Sequence, residues 1–162
     1  MVNNSMNKST SVPGDPALEG DDPFDRLLGY QIRRLSVLVM ADLAAALAPL
    51  GIKPAAASIL FAIAAQDGLT QSDIGRMLGI QRANMAPLIA GMMRQDLIER
   101  DALDGRSQSL RLSGAGQALQ QEAWRRVLAH EDRLFSGLTA DDRAALGGQI
   151  RTLWEQHAKD HG

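Results

Sequence analysis

The chain has 162 residues, a net charge of −2 at pH 7 and no cysteine. This length allows one domain with its own core, and the absence of cysteine excludes disulfides, thiolate metal sites and a thiol redox switch. The slightly acidic balance provides no global positive field for nucleic acid, so DNA binding would need a local positive surface. No run of about 18 apolar residues and no apolar signal core occur. We therefore expect a cytoplasmic protein without a membrane partner.

The N-terminal third of the chain predicts a tail followed by two helices. Residues 1–22 are rich in Asn, Ser, Gly, Pro and acidic residues without periodicity, which predicts a disordered tail. From Phe24, apolar residues recur at helical spacing until Pro49 and Gly51 stop the pattern. This helix is apolar over more than one face, which favours packing against both its own domain and a partner chain. A short helix of small and apolar residues is predicted from Pro54 to Gln66.

A short helix, a tight corner and a longer helix are predicted next. Thr70 and Asp73 have the spacing of a capping box, and Gly79 ends the short helix. From Gln81, apolar residues recur every three or four positions, which leaves polar side chains exposed at the start of the longer helix. Pro87 removes one backbone hydrogen bond inside that helix, so its first turn and a half is expected to be kinked or shifted.

The hydrophobic period then changes from helical to alternating. Asp104-Gly105 is a strong turn signal, and the alternation from Ser107 to Leu112 predicts a β-hairpin. Because a two-stranded hairpin is not stable alone, it must pack on the neighbouring helices. Two further helices are predicted, the first over Gly114 to about Phe135, with Trp124 and Leu128 among its candidates for burial. The second begins at a capping box formed by Thr139 and Asp142.

These elements predict a mainly α fold with a small β-hairpin wing, which is a winged helix-turn-helix flanked by helices. The stretch from Thr70 to Gly116 resembles the DNA-binding core of the MarR family of bacterial transcription regulators. In that family an Asp-x-Arg wing is followed by Leu-x-Leu-Ser/Thr-x-x-Gly. The residues that carry the resemblance here are Asp104, Arg106, Leu110, Leu112, Ser113 and Gly116.

The resemblance, which covers about Phe24 to the C-terminus, implies an organisation and a set of partners. It implies a domain over residues 23–162, with the winged helix-turn-helix at 52–116 and dimerisation helices at 24–50 and 117–160. A two-fold dimer presents two recognition helices about 34 Å apart, so the expected partner is double-stranded DNA with an inverted repeat. Members of the family commonly bind small anionic or phenolic effectors. The string RANMAPLI at 82–89 is similar to members that respond to aromatic acids or their acyl-CoA thioesters.

Candidate DNA-binding residues lie at the start of the first helix of the motif, at the start of the recognition helix and in the wing. Amides and guanidinium groups suit base edges, hydroxyls and free backbone amides suit phosphates, and a wing arginine suits the minor groove. A capping box, an exposed polar helix start or a surface salt bridge in the turn are the ordinary alternatives. The candidates are Thr70, Gln71, Ser72, Gln81, Arg82, Asn84, Met85, Asp104, Arg106 and Ser107.

Tyr30, Arg33 and Arg34 on the first helix are the candidate effector-binding residues, because an arginine with a tyrosine suits a carboxylate. A solvated charged face is the alternative for these three residues.

The remaining patterns limit the classes of function. No nucleophile motif, paired carboxylate, glycine-rich phosphate loop or metal-ligand spacing is present, so we expect no enzyme activity, no cofactor and no metal. The six aromatic residues are not clustered, which disfavours RNA or single-strand binding. The leading interpretation is a ligand-responsive, homodimeric transcription repressor. The alternative is a winged-helix module that binds protein, which the pI of about 5.9 favours.

Overall fold

The computed structural model describes residue 24, residues 26–104 and residues 107–158. The chain divides into two compact units, Met1–Leu38 and Val39–Gly162. The tail predicted at 1–22 and the wing residues Gly105 and Arg106 lie outside the described residues. Within the described residues, no single helix is long and hydrophobic enough to cross a membrane. The helices Leu28–Leu50 and Pro54–Ala65, which are bent relative to each other, meet the same length and hydropathy criterion only when they are combined.

The described elements confirm the predicted fold class, because they are helices and one two-stranded antiparallel hairpin. The first helix continues into a short 3-10 turn, Ala48–Leu50, and ends at Gly51 in the left-handed conformation. In chain order the elements are α1 (Leu28–Leu47), α2 (Pro54–Ala65), α3 (Gln71–Leu78), α4 (Arg82–Arg94), β1 (Ile98–Asp104), β2 (Ser107–Leu112), α5 (Gly114–Leu134) and α6 (Ala140–Ala158).

One hydrophobic core lies within the unit Val39–Gly162. It is built mainly from apolar side chains of α2, α4 and the hairpin, with one residue each from α1, α3 and α5 and three from the connecting segments. The fully buried large apolar side chains are Leu47, Ile59, Leu60, Ile74, Met85, Ile89 and Ile98. This core fixes α3, α4 and the hairpin against one another, so their exposed residues are held in a defined arrangement.

The buried side of α5 differs from the prediction. Trp124 and Leu128 are each about half exposed, whereas Gly116, Ala123 and His130 are buried. Trp124 instead packs edge-on against Phe61 of α2, with ring centroids 5.1 Å apart. Small residues allow α5 to approach the core closely, so its largest apolar side chains lie at the margin of the contact.

Helix α4 continues through Pro87 without a break from Arg82 to Arg94. Pro87 is exposed, so its ring faces solvent, and Ala83, whose carbonyl receives no N–H from Pro87, is also exposed to water. The recognition helix is therefore one continuous element, with its exposed start in helical register with the buried residues that follow.

We predict that Pro87→Ala raises the free energy of unfolding by about 1 to 3 kcal/mol, because it restores one helical hydrogen bond and removes the ring's clash. Urea unfolding at a fixed protein concentration measures the change. Ala86→Ser, at the neighbouring exposed position, should change stability by no more than about 0.5 kcal/mol. A loss of stability in Pro87→Ala would mean that the ring contributes to packing.

Candidate functional site

The start of α3 is closed by the predicted capping box. The backbone N–H and the hydroxyl of Thr70 both donate to Asp73 Oδ2, at 3.0 and 2.6 Å, and Asp73 N–H donates to Thr70 Oγ1 at 3.2 Å. These hydrogen bonds from Thr70, together with the Arg76 guanidinium, hold the pKa of Asp73 below its ordinary value. The box therefore contributes stability at neutral pH and loses it only as the pH falls through that lowered pKa.

These hydrogen bonds reduce the number of DNA-binding candidates at the start of α3. Both donors of Thr70 are directed at Asp73, so Thr70 acts as a structural cap and has no donor left for a phosphate. Ser72 is exposed and Gln71 is half-buried beside it, with no hydrogen bond from either side chain among the described residues. Gln71 and Ser72 are thus available at the helix start, where backbone N–H groups favour an anion.

The start of α4 presents polar side chains to solvent. Gln81, Arg82 and Asn84 are exposed, as their positions predict. Met85 is 1% exposed and belongs to the core, so its inclusion among the groove-facing candidates was wrong. The helical period gives the reason, because Met85 lies one turn before Ile89 on the buried side of α4. A cleft of about 250 Å³ separates the starts of α3 and α4, and Arg76 and Arg82 both line it.

The ion pairs divide the arginines of this region into two groups. Arg76 pairs with Asp73, and Arg111 pairs with Glu99 and with Asp101, the latter at 3.1 Å. Within the described residues, Arg82 and Arg94 of α4 have no carboxylate within ion-pair distance. Arg100 of β1 donates to Gln108 and likewise has no carboxylate partner among the described residues, so positive charge that is not neutralised locally lies on both α4 and β1, even though the chain is slightly acidic.

The wing is attached to the helix-turn-helix by backbone hydrogen bonds. Strand β1 pairs with β2 from Ile98↔Leu112 to Asp104↔Ser107, with an irregularity between Ala102 and Asp104. Thr70 forms a bridge with Ser109, and Leu110 N–H donates to Leu69 O at 2.9 Å. The hairpin thus packs on the helices as predicted, and β2 is fixed to the start of α3.

Three wing candidates are described only in part or not at all. The backbones of Asp104 and Ser107 form the last strand pair, while their side chains and the whole of Arg106 lie outside what the structure describes. Their proposed contacts with DNA therefore remain predictions.

A close backbone contact joins the end of α4 to the start of α5. Helix α4 ends with Asp96 at φ 55° and a hydrogen bond from Leu97 N–H to Met92 O of 3.0 Å, as in a Schellman motif. Leu97 O then accepts from Ser113 N–H at 3.1 Å. Ser113 Oγ donates to Asp96 O and accepts from Gly116 N–H at 2.9 Å, which caps α5. We call this contact the α4–α5 joint.

The three effector candidates lie in the unit Met1–Leu38. Tyr30 packs against Phe24 with ring centroids 4.8 Å apart, and the Arg34 guanidinium lies 5.8 Å from the centre of the Tyr30 ring. Arg33 is exposed. The Tyr30 ring thus positions one guanidinium by a cation–π contact.

One polar pair, in which only the histidine is buried, was not predicted from the sequence. His130 of α5 is 1% exposed, and its Nδ1 lies 2.8 Å from Asp42 Oδ2 of α1. The spacing of Ala123, Val127 and His130 marks one side of the helix, which is a signal for burial, but no local pattern identifies Asp42 as the partner. Among the described residues, no group of three or more His, Asp or Glu side chains is placed to hold a metal ion.

Comparisons with known proteins agree with this geometry. A sequence profile of the MarR family matches residues 50–107. The transcriptional repressor CouR bound to a 23-mer DNA duplex has a TM-score of 0.74 and 34% identity, over 78% of this chain and 92% of that chain. A structure of CouR bound to p-coumaroyl-CoA has a TM-score of 0.71 and 32% identity, over 78% of this chain and 91% of that chain.

A MarR-family protein of Mycobacterium tuberculosis in complex with salicylic acid has a TM-score of 0.65 and 25% identity, over 84% of this chain and 99% of that chain. A search among curated proteins gave no match. The identity to CouR extends over nine-tenths of that repressor, and the winged helix-turn-helix has the order and spacing of parts described above. The chain belongs to the MarR family of transcription regulators.

Proposed function

We propose that this protein is a ligand-responsive transcription repressor that binds an inverted repeat in double-stranded DNA as a homodimer. The observation that carries the proposal is the exposed start of α4, where Arg82 has no carboxylate partner among the described residues. An arginine suits guanine O6 and N7, and the carboxamides of Gln81 and Asn84 suit adenine N6 and N7. The structure of CouR on a DNA duplex supports this role.

The proposed contacts fall into three groups. Gln81, Arg82 and Asn84 read base edges from α4, and Gln71 with Ser72 holds a phosphate at the start of α3. The wing contributes Asp104, Arg106 and Ser107, with Arg106 in the minor groove or on a phosphate. The bridge from Thr70 to Ser109 supports this arrangement, because it ties the wing strand to the helix-turn-helix. Thr70 and Met85 are excluded from the proposed contacts by the geometry given above.

The proposed effector is a small anionic aromatic compound, either an aromatic acid or its acyl-CoA thioester. Relatives were solved with p-coumaroyl-CoA and with salicylic acid, both of which combine an aromatic ring with negative charge. Arg33 and Arg34, the second of which lies over the Tyr30 ring, carry the guanidinium groups that suit a carboxylate or phosphate. Effector binding would change the spacing of the two recognition helices, and a dimer with fixed half-sites then loses affinity for DNA.

A titration of the purified protein against its own upstream intergenic DNA tests the function. We expect tight binding that survives competitor DNA, weakens steeply between low and high salt, and is abolished by p-coumaroyl-CoA or p-coumarate but not by coenzyme A alone. Binding without salt dependence, or binding that competitor removes at once, would favour the protein-binding winged helix that the acidic pI suggests.

We predict that Arg34→Ala raises the effector concentration needed to release DNA by about 10- to 100-fold, because a charged hydrogen bond is lost. The same DNA titration with p-coumaroyl-CoA measures the shift. Arg26→Ala is the matched control, since Arg26 is also an exposed arginine before Leu38, and it should leave release unchanged. Equal behaviour of the two variants would assign Arg34 to a solvated charged face.

A further inference from the structure

One face of the hairpin packs on the helices, and we call it the inner face. Side chains alternate between the two faces of a strand, and Arg100 pairs with Leu110 while Ile98 pairs with Leu112, so these four residues share a face. Ile98, Leu110 and Leu112 are buried in the core there. Arg100 therefore lies on the inner face, two residues nearer the tip of the wing than Ile98.

The opposite, outer face of the hairpin has no excess of positive charge. It carries Glu99, Asp101 and Arg111, and the Arg111 guanidinium pairs with both carboxylates. Because one positive group stands against two negative groups, this face has a net negative charge. A DNA phosphate is therefore disfavoured on the outer face.

Arg100 is the one charged side chain among those described on the inner face. Its Nη1 donates to Gln108 Oε1 at 2.8 Å, and no carboxylate of the described residues lies within ion-pair distance of it. Gln108 lies diagonally across the strand pair, since Arg100 faces Leu110 directly, and both polar side chains are exposed. A hydrogen bond to a neutral carboxamide positions the guanidinium without cancelling its charge.

The inner face is turned toward the recognition helix. Ile98 shares the core with Ile89 and Met92 of α4. In the proposed function α4 lies in the major groove and the wing lies at the adjacent minor groove. One sugar-phosphate strand separates neighbouring grooves of a duplex, so in this arrangement one strand runs between α4 and the wing. A cation on the inner face is on the side of the hairpin that meets this strand.

We propose that Arg100, positioned by Gln108, binds a phosphate of the strand between the groove read by α4 and the groove at the wing. The inference rests on the proposed function and adds a contact outside the three groups assigned there. Because the contact is with the backbone, it contributes to affinity and register and not to sequence preference. Gln108 acts through Arg100 and is a positioning residue.

Arg100→Ala and Arg111→Ala form a matched pair, because each removes an exposed arginine from one face of the same hairpin. Fluorescence titrations use the upstream intergenic DNA and an unrelated duplex over a series of salt concentrations. We expect Arg100→Ala to weaken binding to both duplexes by about tenfold, through the loss of a charged hydrogen bond. The slope of log affinity against log salt concentration should fall by about 1. Arg111→Ala should change affinity by no more than about twofold at moderate salt and should leave the slope unchanged.

Two further variants test how the guanidinium acts. Arg100→Lys keeps the charge and should keep the salt slope, but it should weaken binding by about threefold because lysine lacks the planar fork that suits a phosphate. Gln108→Ala also keeps the charge and the slope, and it should weaken binding by a similar factor because the guanidinium is no longer held.

A duplex in which one phosphate at a time is replaced by a neutral methylphosphonate locates the contact. At one phosphate between the two grooves, the replacement should weaken binding of the wild type by about tenfold. The same replacement should have much less effect on Arg100→Ala, because that variant has already lost the contact.

The outcomes separate this contact from the proposed function. If the wild type binds its upstream DNA with a steep salt dependence while Arg100→Ala and Arg111→Ala behave alike, the Arg100 contact is overturned and the proposed function stands. The contact is also overturned if no methylphosphonate position distinguishes the wild type from Arg100→Ala. A wild type that binds DNA without salt dependence, or not at all, would overturn both.

Discussion

Replacing Gly116 by alanine should destabilise the protein by about 3 kcal/mol, at the upper end of the range for overpacked sites. A Cβ atom on Gly116 would lie 1.9 Å from Leu97 O and 2.9 Å from Leu97 C, both of which are backbone atoms. A flexible side chain could rotate away, but this carbonyl already accepts the Ser113 N–H and cannot move without opening the α4–α5 joint. Urea unfolding at a fixed protein concentration measures the loss.

Gly114→Ala is the matched control, because Gly114 belongs to the same first turn of α5 and a Cβ there meets nothing within 4 Å. It should change stability by no more than about 0.5 kcal/mol. Equal stability of the two variants would mean that the joint adjusts freely, and α5 would then not be rigidly attached to the end of α4. A Gly116→Ala protein that folds but binds DNA poorly would place the joint in the control of recognition-helix orientation.

Local patterns made much of this fold predictable. The capping box Thr70–Asp73 depends on residues three apart and forms as predicted, and at the start of α6 the Asp142 N–H donates to Thr139 Oγ1, which is one half of the predicted box. For Met85, the same helical periodicity could have corrected the prediction of a groove-facing side chain. Its spacing to Ile89 already indicated the buried side of α4, and that signal outweighs the proximity of Met85 to the polar helix start.

Long-range contacts set the limit of the prediction. The partner of His130 is Asp42, which is 88 positions away, so no local period could show that a polar residue of α5 is buried and paired. The role of Gly116 likewise depends on Leu97, across the hairpin, and the family motif marks the glycine without showing what it approaches. Arg111 is an intermediate case, because its pairing with Glu99 follows once the hairpin register is known.

The double variant Arg82→Ala/Arg106→Ala should lose about 2 to 6 kcal/mol of operator binding, since each arginine contributes about 1 to 3 kcal/mol and separate contacts add roughly. The single change Arg82→Ala should weaken discrimination between operator and altered sequences, as expected for the loss of a base contact. The single change Arg106→Ala should weaken binding to operator and to altered DNA alike. If Arg106 contacts a phosphate, the change should also lower the slope of log affinity against log salt concentration by about 1. Fluorescence titrations at two salt concentrations, with operator and altered DNA, measure both properties.

Lys53→Ala/Arg94→Ala removes the same charge from exposed positions, one before α2 and the other at the opposite end of α4. If recognition depends on the start of α4 and on the wing, this control should bind the operator with a loss of well under 1 kcal/mol at moderate salt, because distant charges are screened. Equal losses in the two double variants would show that only net charge matters. The α4 start would then be an electrostatic surface, and sequence specificity would have to come from the shape of the DNA.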